Sequence, residues 1–454
     1  MMIWRVKCLM RKFAIKMREI YQVLLSWMLQ VSNTKTYVTG SMRPGSMRGS
    51  IISLTAATVG AGTLTLPYIM SLNGLAFGTI LVIFGAFLSY YSGMLLVKCD
   101  QITGKYNYES LAKMSFGKTW RPIMSLSMLV SMIGFQIACQ TLLKTLIPEL
   151  FEQVFKDIQL PYWLQKNDTG TLLYATLLTV FIILPLSIPS ELNQTMFVST
   201  LGSFCSIFTV FVIVYEFFMN DIVVPDKISQ IRHVQWFIFE WDRIVESIPF
   251  IVFLYMYQGI IPQMYKELDR RSLNRMDRII LRSSYGIVLI YLVIGIFGYL
   301  TFSDKISKQL MNPEHNGNIL ECDYQGSRLI QCARLSVIVS LIATTPLCII
   351  PAKQAYMQMT NMRDISDRQN IYLSVSIVLI IYVAAITIPN ISGAITLSGA
   401  TVNPFIGFIF PILFYLKLDT QPLLSRDKLI AILVMIFIVF TSVLSLQQYF
   451  SKKS

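Results

Sequence analysis

Val59-Gly60-Ala61-Gly62-Thr63-Leu64-Thr65-Leu66-Pro67 interrupts the first hydrophobic run of the chain, and Tyr257-Gln258-Gly259-Ile260-Ile261-Pro262 interrupts the sixth. Glycine strips a helix of the side chains that shield its backbone, and proline removes a donor and kinks the chain. In lipid, unwound backbone is tolerated only where it lines a cavity or is buried in protein. Interrupted spans at corresponding places in two halves point to the substrate site of a transporter. Solute transport is therefore the leading reading of these two stretches.

The rest of the chain agrees. Of its 454 residues 54% are hydrophobic and 14% charged, with a mean hydropathy of +0.58. Soluble chains carry about 25% charged residues, so this composition is that of an integral membrane protein. Eleven apolar runs reach the roughly 20 residues needed to span a bilayer, near 50–72, 75–97, 123–145, 171–189, 194–217, 244–265, 283–302, 329–350, 371–389, 393–416 and 428–449. The expected organisation is a basic cytosolic segment over 1–49 followed by a transmembrane domain over 50–450. Of the 38 Lys and Arg, 26 fall on one side of this arrangement and ten on the other. The positive-inside rule puts the N-terminus in the cytosol and, with an odd span number, the C-terminus outside. The net charge of +13 thus reports topology rather than a nucleic-acid partner.

The first 30 residues mix Arg5, Lys7, Arg11 and Lys12 with Trp4, Leu9 and Phe13 and contain no apolar core of spanning length. They read as a basic amphipathic helix on the membrane surface, a presequence-like segment or an unstructured tail, and not as a signal peptide. Between the second and third runs, Tyr108-Glu109-Ser110-Leu111-Ala112-Lys113 is expected to form a short amphipathic helix, stopped at Phe116-Gly117. Asn312-Pro313-Glu314-His315-Asn316-Gly317 reads as turns. The seven cysteines show no metal-ligand spacing and the two histidines, His233 and His315, lie in loops, so neither a metal nor a cofactor is expected. No polar cluster offers a nucleophile beside a base, which argues against an enzyme.

Several motifs resemble those of the amino acid/auxin permease family. They are Gly60-Ala61-Gly62 with Leu66-Pro67-Tyr68, Tyr108-Glu109-Ser110-Leu111-Ala112 with Phe116-Gly117, Leu184-Pro185-Leu186-Ser187, and Ile261-Pro262-Gln263-Met264-Tyr265-Lys266-Glu267-Leu268. Gly298-Tyr299-Leu300-Thr301-Phe302, Thr344-Thr345-Pro346 with Pro351, and Gly399-Ala400 with Pro411 complete the series. The ordered set runs from about residue 48 to 420. The resemblance implies an all-α, LeuT-like fold: a five-plus-five inverted repeat of helices with spans 1 and 6 broken and an eleventh helix added. The function it implies is movement of amino acids across a membrane, with an amino acid sensor of the same fold as the alternative.

An amino acid presents a carboxylate and an ammonium, and a broken helix offers a complement to each. Freed amides at a half-helix N-terminus attract the anion, so Ala61, Gly62 and Thr63 are assigned to the carboxylate. The carbonyls of Thr58 and Val59, and those near Tyr255 to Tyr257, are assigned to the ammonium. The competing reading makes Gly60 and Gly62 a packing surface between helices. Tyr255, Tyr257 and Gln258 supply polar groups at the second break, where the family often carries a cysteine and a histidine. Tyrosines elsewhere mark the membrane interface.

Charges within the runs are few. Lys144, Glu216 and Glu246 are expected at outer ends as interface residues, and Arg334, one turn further in, to pair with Glu246 in an outer gate. Cys322 and Cys332 are the pair available for a disulfide in an oxidising compartment. Asn167-Asp168-Thr169 is an external sequon, Asn390-Ile391-Ser392 lies too near the membrane, and Asn193-Gln194-Thr195 faces the cytosol. With no mid-span acid or base to neutralise a charged side chain, the substrate is expected to be a neutral amino acid.

Sodium-coupled relatives use an asparagine just before the glycine pair; here Ala56 stands in its place. Ser340 and Thr344 are the remaining oxygens for an ion, so H+ is expected ahead of Na+. The plasma membrane and a vacuolar or lysosomal membrane both fit.

Overall fold

Long apolar runs in lipid must close their backbone hydrogen bonds internally, and helices do so. The computed structural model describes residues 45–155, 161–188, 196–232, 234–302, 317–324, 326–360, 362, 366–388 and 391–451, and among them contains helices and no strands. The expectations placed on the first 30 residues, on 312–316, on both histidines and on Asn193 and Asn390 lie outside the described residues.

All eleven expected positions hold helix. Span 1 consists of Met47–Thr58 and Leu66–Asn73. Span 2 is Leu75–Thr103, span 3 Trp120–Val154, span 4 Asp168–Ser187 and span 5 Met196–Met219. Span 6 consists of Trp241–Leu254 and Ile261–Glu267, followed by span 7 at Leu273–Thr301, span 8 at Arg328–Met359 and span 9 at Asp367–Thr387. Span 10 joins Ile391–Ala400 to Val402–Leu418 with a 42° bend, and span 11 is Arg426–Ser451. Among the described residues eight helices are long and apolar enough to cross a membrane, and the bent pair makes a ninth. Span 1 falls short because its break divides it.

The connecting helix forms as expected, over Tyr108–Phe116. Asn107 caps its start by accepting from the Ser110 amide at 2.9 Å, and Gly117 ends it at φ +96°, where a side chain would be strained.

Prolines inside the spans explain the irregular turns. A proline cannot bond the carbonyl four residues before it. Pro185 and Pro411 each follow a π-helical turn, Thr179–Ile183 and Phe405–Ile409, that absorbs the mismatch. The carbonyl of Gly407, four residues before Pro411, takes the Ser92 hydroxyl instead. The carbonyl of Val245, four before Pro249, takes Ser445 Oγ of span 11 at 3.0 Å. Close approach also needs glycine at 399, where a Cβ would lie 2.1 Å from the Pro249 carbonyl oxygen. This contact seats the bend of span 10 against span 6.

Buried lysines cap helix C-termini, where the carbonyls and the helix dipole attract a cation. Lys144 of span 3 donates to the carbonyls of Ala385 (2.6 Å) and Ile388 at the end of span 9. Lys353 of span 8 reaches the carbonyls of Ser187 (2.9 Å) and Ile188 (3.2 Å) at the end of span 4. Lys428 donates to Asp419 O (2.9 Å) and Gln421 O (2.7 Å) just past span 10.

The packing corrects three sequence expectations. Lys144, Glu216 and Glu246 are not interface residues held in water: Lys144 and Glu216 are buried, and the Glu246 carboxylate accepts the Tyr68 hydroxyl at 2.6 Å. Arg334 does not pair with Glu246. Its Nη2 lies 2.7 Å from Glu149, and its Nε and Nη2 donate to the Leu320 carbonyl at 2.9 and 2.6 Å. Glu149 is available because span 3 continues to Val154, past the expected end at 145. Cys322 and Cys332 are free thiols, the first buried and the second exposed, so no bridge joins them. Asn167, the sequon residue, caps span 4 by accepting from Gly170 N at 2.8 Å.

Candidate functional site

Both breaks form where the glycines predict them. In span 1 the helix stops at Thr58, Val59 and Gly60 are extended, and a 3-10 turn over Ala61–Thr65 leads into the second half at Leu66. In span 6 the helix stops at Leu254, and a 3-10 turn over Gln258–Ile260 leads into Ile261–Glu267, with Pro262 in its first turn.

Helix starts leave amides without intrahelical acceptors. Among the described hydrogen bonds the amides of Gly60 and Gly62 have no acceptor, whereas Thr63 N donates to Gly60 O at 3.1 Å. Of the amides assigned to the carboxylate, that of Thr63 is therefore engaged and that of Gly62 has no acceptor among the described bonds. Thr65 Oγ1 donates to Gly62 O at 2.7 Å and Thr58 Oγ1 to Leu54 O at 2.7 Å, so these hydroxyls brace the backbone.

The carbonyl side is different from the sequence expectation. Tyr291, fully buried on span 7, places its hydroxyl 3.0 Å from Thr58 O and 2.7 Å from Leu254 O. One phenol therefore joins the C-terminal ends of the first halves of spans 1 and 6, where two helix dipoles present negative charge. Tyr255 O accepts from Ser89 Oγ at 2.8 Å, and that hydroxyl in turn accepts from Gln258 Nε2 at 2.8 Å. Tyr257 is buried with its hydroxyl 3.4 Å from Ser284 Oγ. Tyr255, Tyr257 and Gln258 are thus mid-bundle and turned into spans 2 and 7, away from any interface. Of the carbonyls assigned to an ammonium, Thr58 and Tyr255 already have donors, and Val59 has none among the described bonds.

Sequence reasoning missed Tyr291; its signal was a tyrosine in the middle of an apolar run. It also missed the aromatic wall. Phe135 of span 3 and Phe253 of span 6 stack with ring centroids 5.2 Å apart and planes at 10°. A Cβ on Gly60 would meet Phe135 at 3.5 Å, and one on Gly62 would meet Phe253 at 3.2 Å and Leu254 at 3.1 Å. The glycines therefore leave bare backbone beside the two stacked rings. Free amides beside an aromatic surface suit a carboxylate that carries an apolar or neutral group.

The two hydroxyls expected to hold an ion also make hydrogen bonds of their own, which leave oxygen lone pairs free for a cation. Ser340 Oγ lies 2.9 Å from Ser206 Oγ of span 5, and Thr344 Oγ1 donates to Leu341 O at 2.8 Å. Neither bonds the first break among the described hydrogen bonds. No group of three potential metal ligands occurs among the described residues.

Replacing Tyr291 by Phe is expected to leave two buried carbonyls without their shared donor, a loss of about 1–3 kcal/mol. The melting temperature of purified Tyr291→Phe protein and its transport rate should both fall. An unchanged value of both would show that the bridge is dispensable.

Residues 43–450 match the family model described as transmembrane amino acid transporter protein. The chain is 26% identical over 419 residues to sodium-coupled neutral amino acid symporter 2 of Danio rerio, a match covering 87% of this chain and 81% of that protein. Among solved structures it is similar to MhsT in complex with L-phenylalanine, with a TM-score of 0.60 and 14% identity over 88% of this chain and 98% of that one. It is also similar to a substrate-bound, outward-open Na+-coupled sialic acid symporter, with a TM-score of 0.54 and 13% identity over 91% and 92% of the two chains. The fold is thus that of the LeuT-like transporters, as the broken spans 1 and 6 imply.

Proposed function

We propose that this chain, which belongs to the transmembrane amino acid transporter family, carries neutral L-amino acids across its membrane by alternating access around the two broken spans. The observation that supports this most is the free amide of Gly62, at the start of the second half of span 1 and beside the Phe135–Phe253 stack. The amides of the first break receive the α-carboxylate, the Val59 carbonyl the ammonium, and the aromatic wall the side chain. Among the described residues, the charged groups of spans 3, 5, 6 and 8 discussed above are tied to other partners, so a charged side chain would lack a counter-ion. The N-terminus is assigned to the cytosol, and residues 1–49 to a basic segment on that side.

The coupling ion needs a direct test. The zebrafish relative is sodium-coupled by name, which sets sodium level with the proton despite Ala56. Alanine at 56, which brings no side-chain oxygen to the first break, is what supports weak sodium dependence. Uptake of labelled glutamine, alanine or leucine into proteoliposomes is expected to exceed that of lysine and glutamate and to persist when choline replaces sodium. A clear preference for lysine or glutamate would sink the substrate reading. A steep sodium requirement that disappears in Thr344→Ala would sink the ion reading alone.

A further inference from the structure

Asp100 lies in the last turn of span 2, four residues before the helix is ended by Gly104 at φ +63°. It is 0% exposed, and neither of its carboxylate oxygens has a hydrogen-bond partner. Other buried acids are served: Glu149 by Arg334 and Lys166, and Glu216 by Ser327 and by Asn220 at 2.7 Å. On the same turn of helix, Val97 and Cys99 belong to a buried apolar cluster with Tyr108, Leu111 and Tyr265.

Ionisable groups stand on each of the surrounding elements, Arg271 over the Tyr106 ring at 5.2 Å among them. On its own helix, Cys99 is buried and Lys98 sits over the Tyr415 ring at 5.5 Å. The connecting helix brings Tyr108, whose hydroxyl donates to Ile406 O at 3.0 Å, and Glu109. The end of span 6 brings Tyr265 and Lys266, and span 7 brings Arg275, whose Nε is buried without a hydrogen-bond partner, and Asp277, which accepts from Tyr90 at 2.6 Å. Past span 10, Asp419 lies 4.0 Å from Lys428. None of these is bonded to Asp100.

An isolated carboxylate buried this way costs far more than a neutral carboxyl, so burial selects the protonated form. Water reaching the same site reverses the preference.

We propose that Asp100 is a proton-binding site that regulates the opening of this end of the bundle, assigned above to the cytosol. The proposal rests on the alternating-access reading. With the end packed shut, Asp100 carries its proton. When the end opens, the O–H bond breaks, the proton passes to water on the same side, and the carboxylate is hydrated. Acid on that side therefore holds the end shut and alkali favours opening. The proton returns to the side it came from, so the site sets the rate without adding a driving force.

The test is exchange of labelled for unlabelled alanine in proteoliposomes with equal pH on both faces, which removes any proton gradient. Wild-type exchange is expected to slow on acidification by up to about ten-fold per pH unit, the limit for one proton. Asp100→Asn, a neutral mimic of the protonated form, is expected to exchange slowly at every pH, with a flat profile. Alkylation of Cys99, followed by mass spectrometry at one alkaline pH, should be faster in the wild type than in Asp100→Asn. A wild-type profile that is flat, or a mutant that keeps the wild-type pH response, would overturn the proposal while leaving amino acid exchange intact. Absence of exchange in the wild type would instead overturn the transport reading beneath it.

Discussion

Gly62→Leu protein is expected to insert, run as a single species and transport nothing above background. Even the first carbon of a side chain at 62 would sit 3.1 Å from Leu254 Cδ2 and 3.2 Å from Phe253 Cδ1. The rest of a leucine must then occupy the space through which a ligand reaches the Ala61 and Gly62 amides. Gly62→Ala requires its neighbours to move only a few tenths of an ångström, so it should keep part of the activity with weakened substrate affinity. Wild-type uptake by well-folded Gly62→Leu would rule out backbone recognition at the first break and restore the reading of these glycines as mere packing.

The second large effect concerns the opposite end of the bundle from Asp100. Arg334 and Glu149 tie span 8 to span 3, with side chains 2% and 10% exposed, and Lys166 adds a second contact to Glu149 at 3.0 Å. Arg334 also holds the Leu320 carbonyl, so it anchors the short turn Ile319–Glu321 over the same end. Removing one partner of a buried ion pair costs about 3–5 kcal/mol when the other charge is left uncompensated, and here the partly exposed Lys166 offsets only part of it. Arg334→Met should therefore lower the melting temperature sharply. The double variant Arg334→Met with Glu149→Gln should recover much of the loss, because it removes the orphaned charge as well. Equal melting temperatures for the single and double variants would show that the two residues do not act as a pair.

The breaks were legible because their causes are local. Gly60, Gly62 and Pro67 act on their own backbone, as do Gly259 and Pro262, and no distant partner has to be known. The connecting helix was legible for the same reason, since Asn107 and Gly117 cap it from adjacent positions. The bend in span 10 was equally local in its signal, with Gly399 and Pro404 on either side, and was passed over because the run around it stays apolar.

Pairings across the bundle were not legible. Arg334 was matched to Glu246 because both were expected near one end. Its partner Glu149 lies beyond the apolar run that ends at 145, because hydropathy falls before the helix stops at Val154. Lys144 and Lys353 were unreadable as caps, because the carbonyls they serve end spans 9 and 4, far away in sequence. Tyr291 carries no local mark of its bridging role, since its hydroxyl matters only because two half-helices end beside it. The candidate site was therefore half visible, its amides from the glycines and its carbonyl clasp and aromatic wall only from the packing.

Central to this account is recognition of a substrate carboxylate by the amides of the first break, and competition against labelled glutamine uptake tests that most directly. L-alanine should compete, while its methyl ester and the corresponding amine without a carboxylate should not, since neither offers an anion to Ala61 and Gly62. Equal competition by the ester or the amine would contradict the account, because the first break would then be recognising something other than the carboxylate.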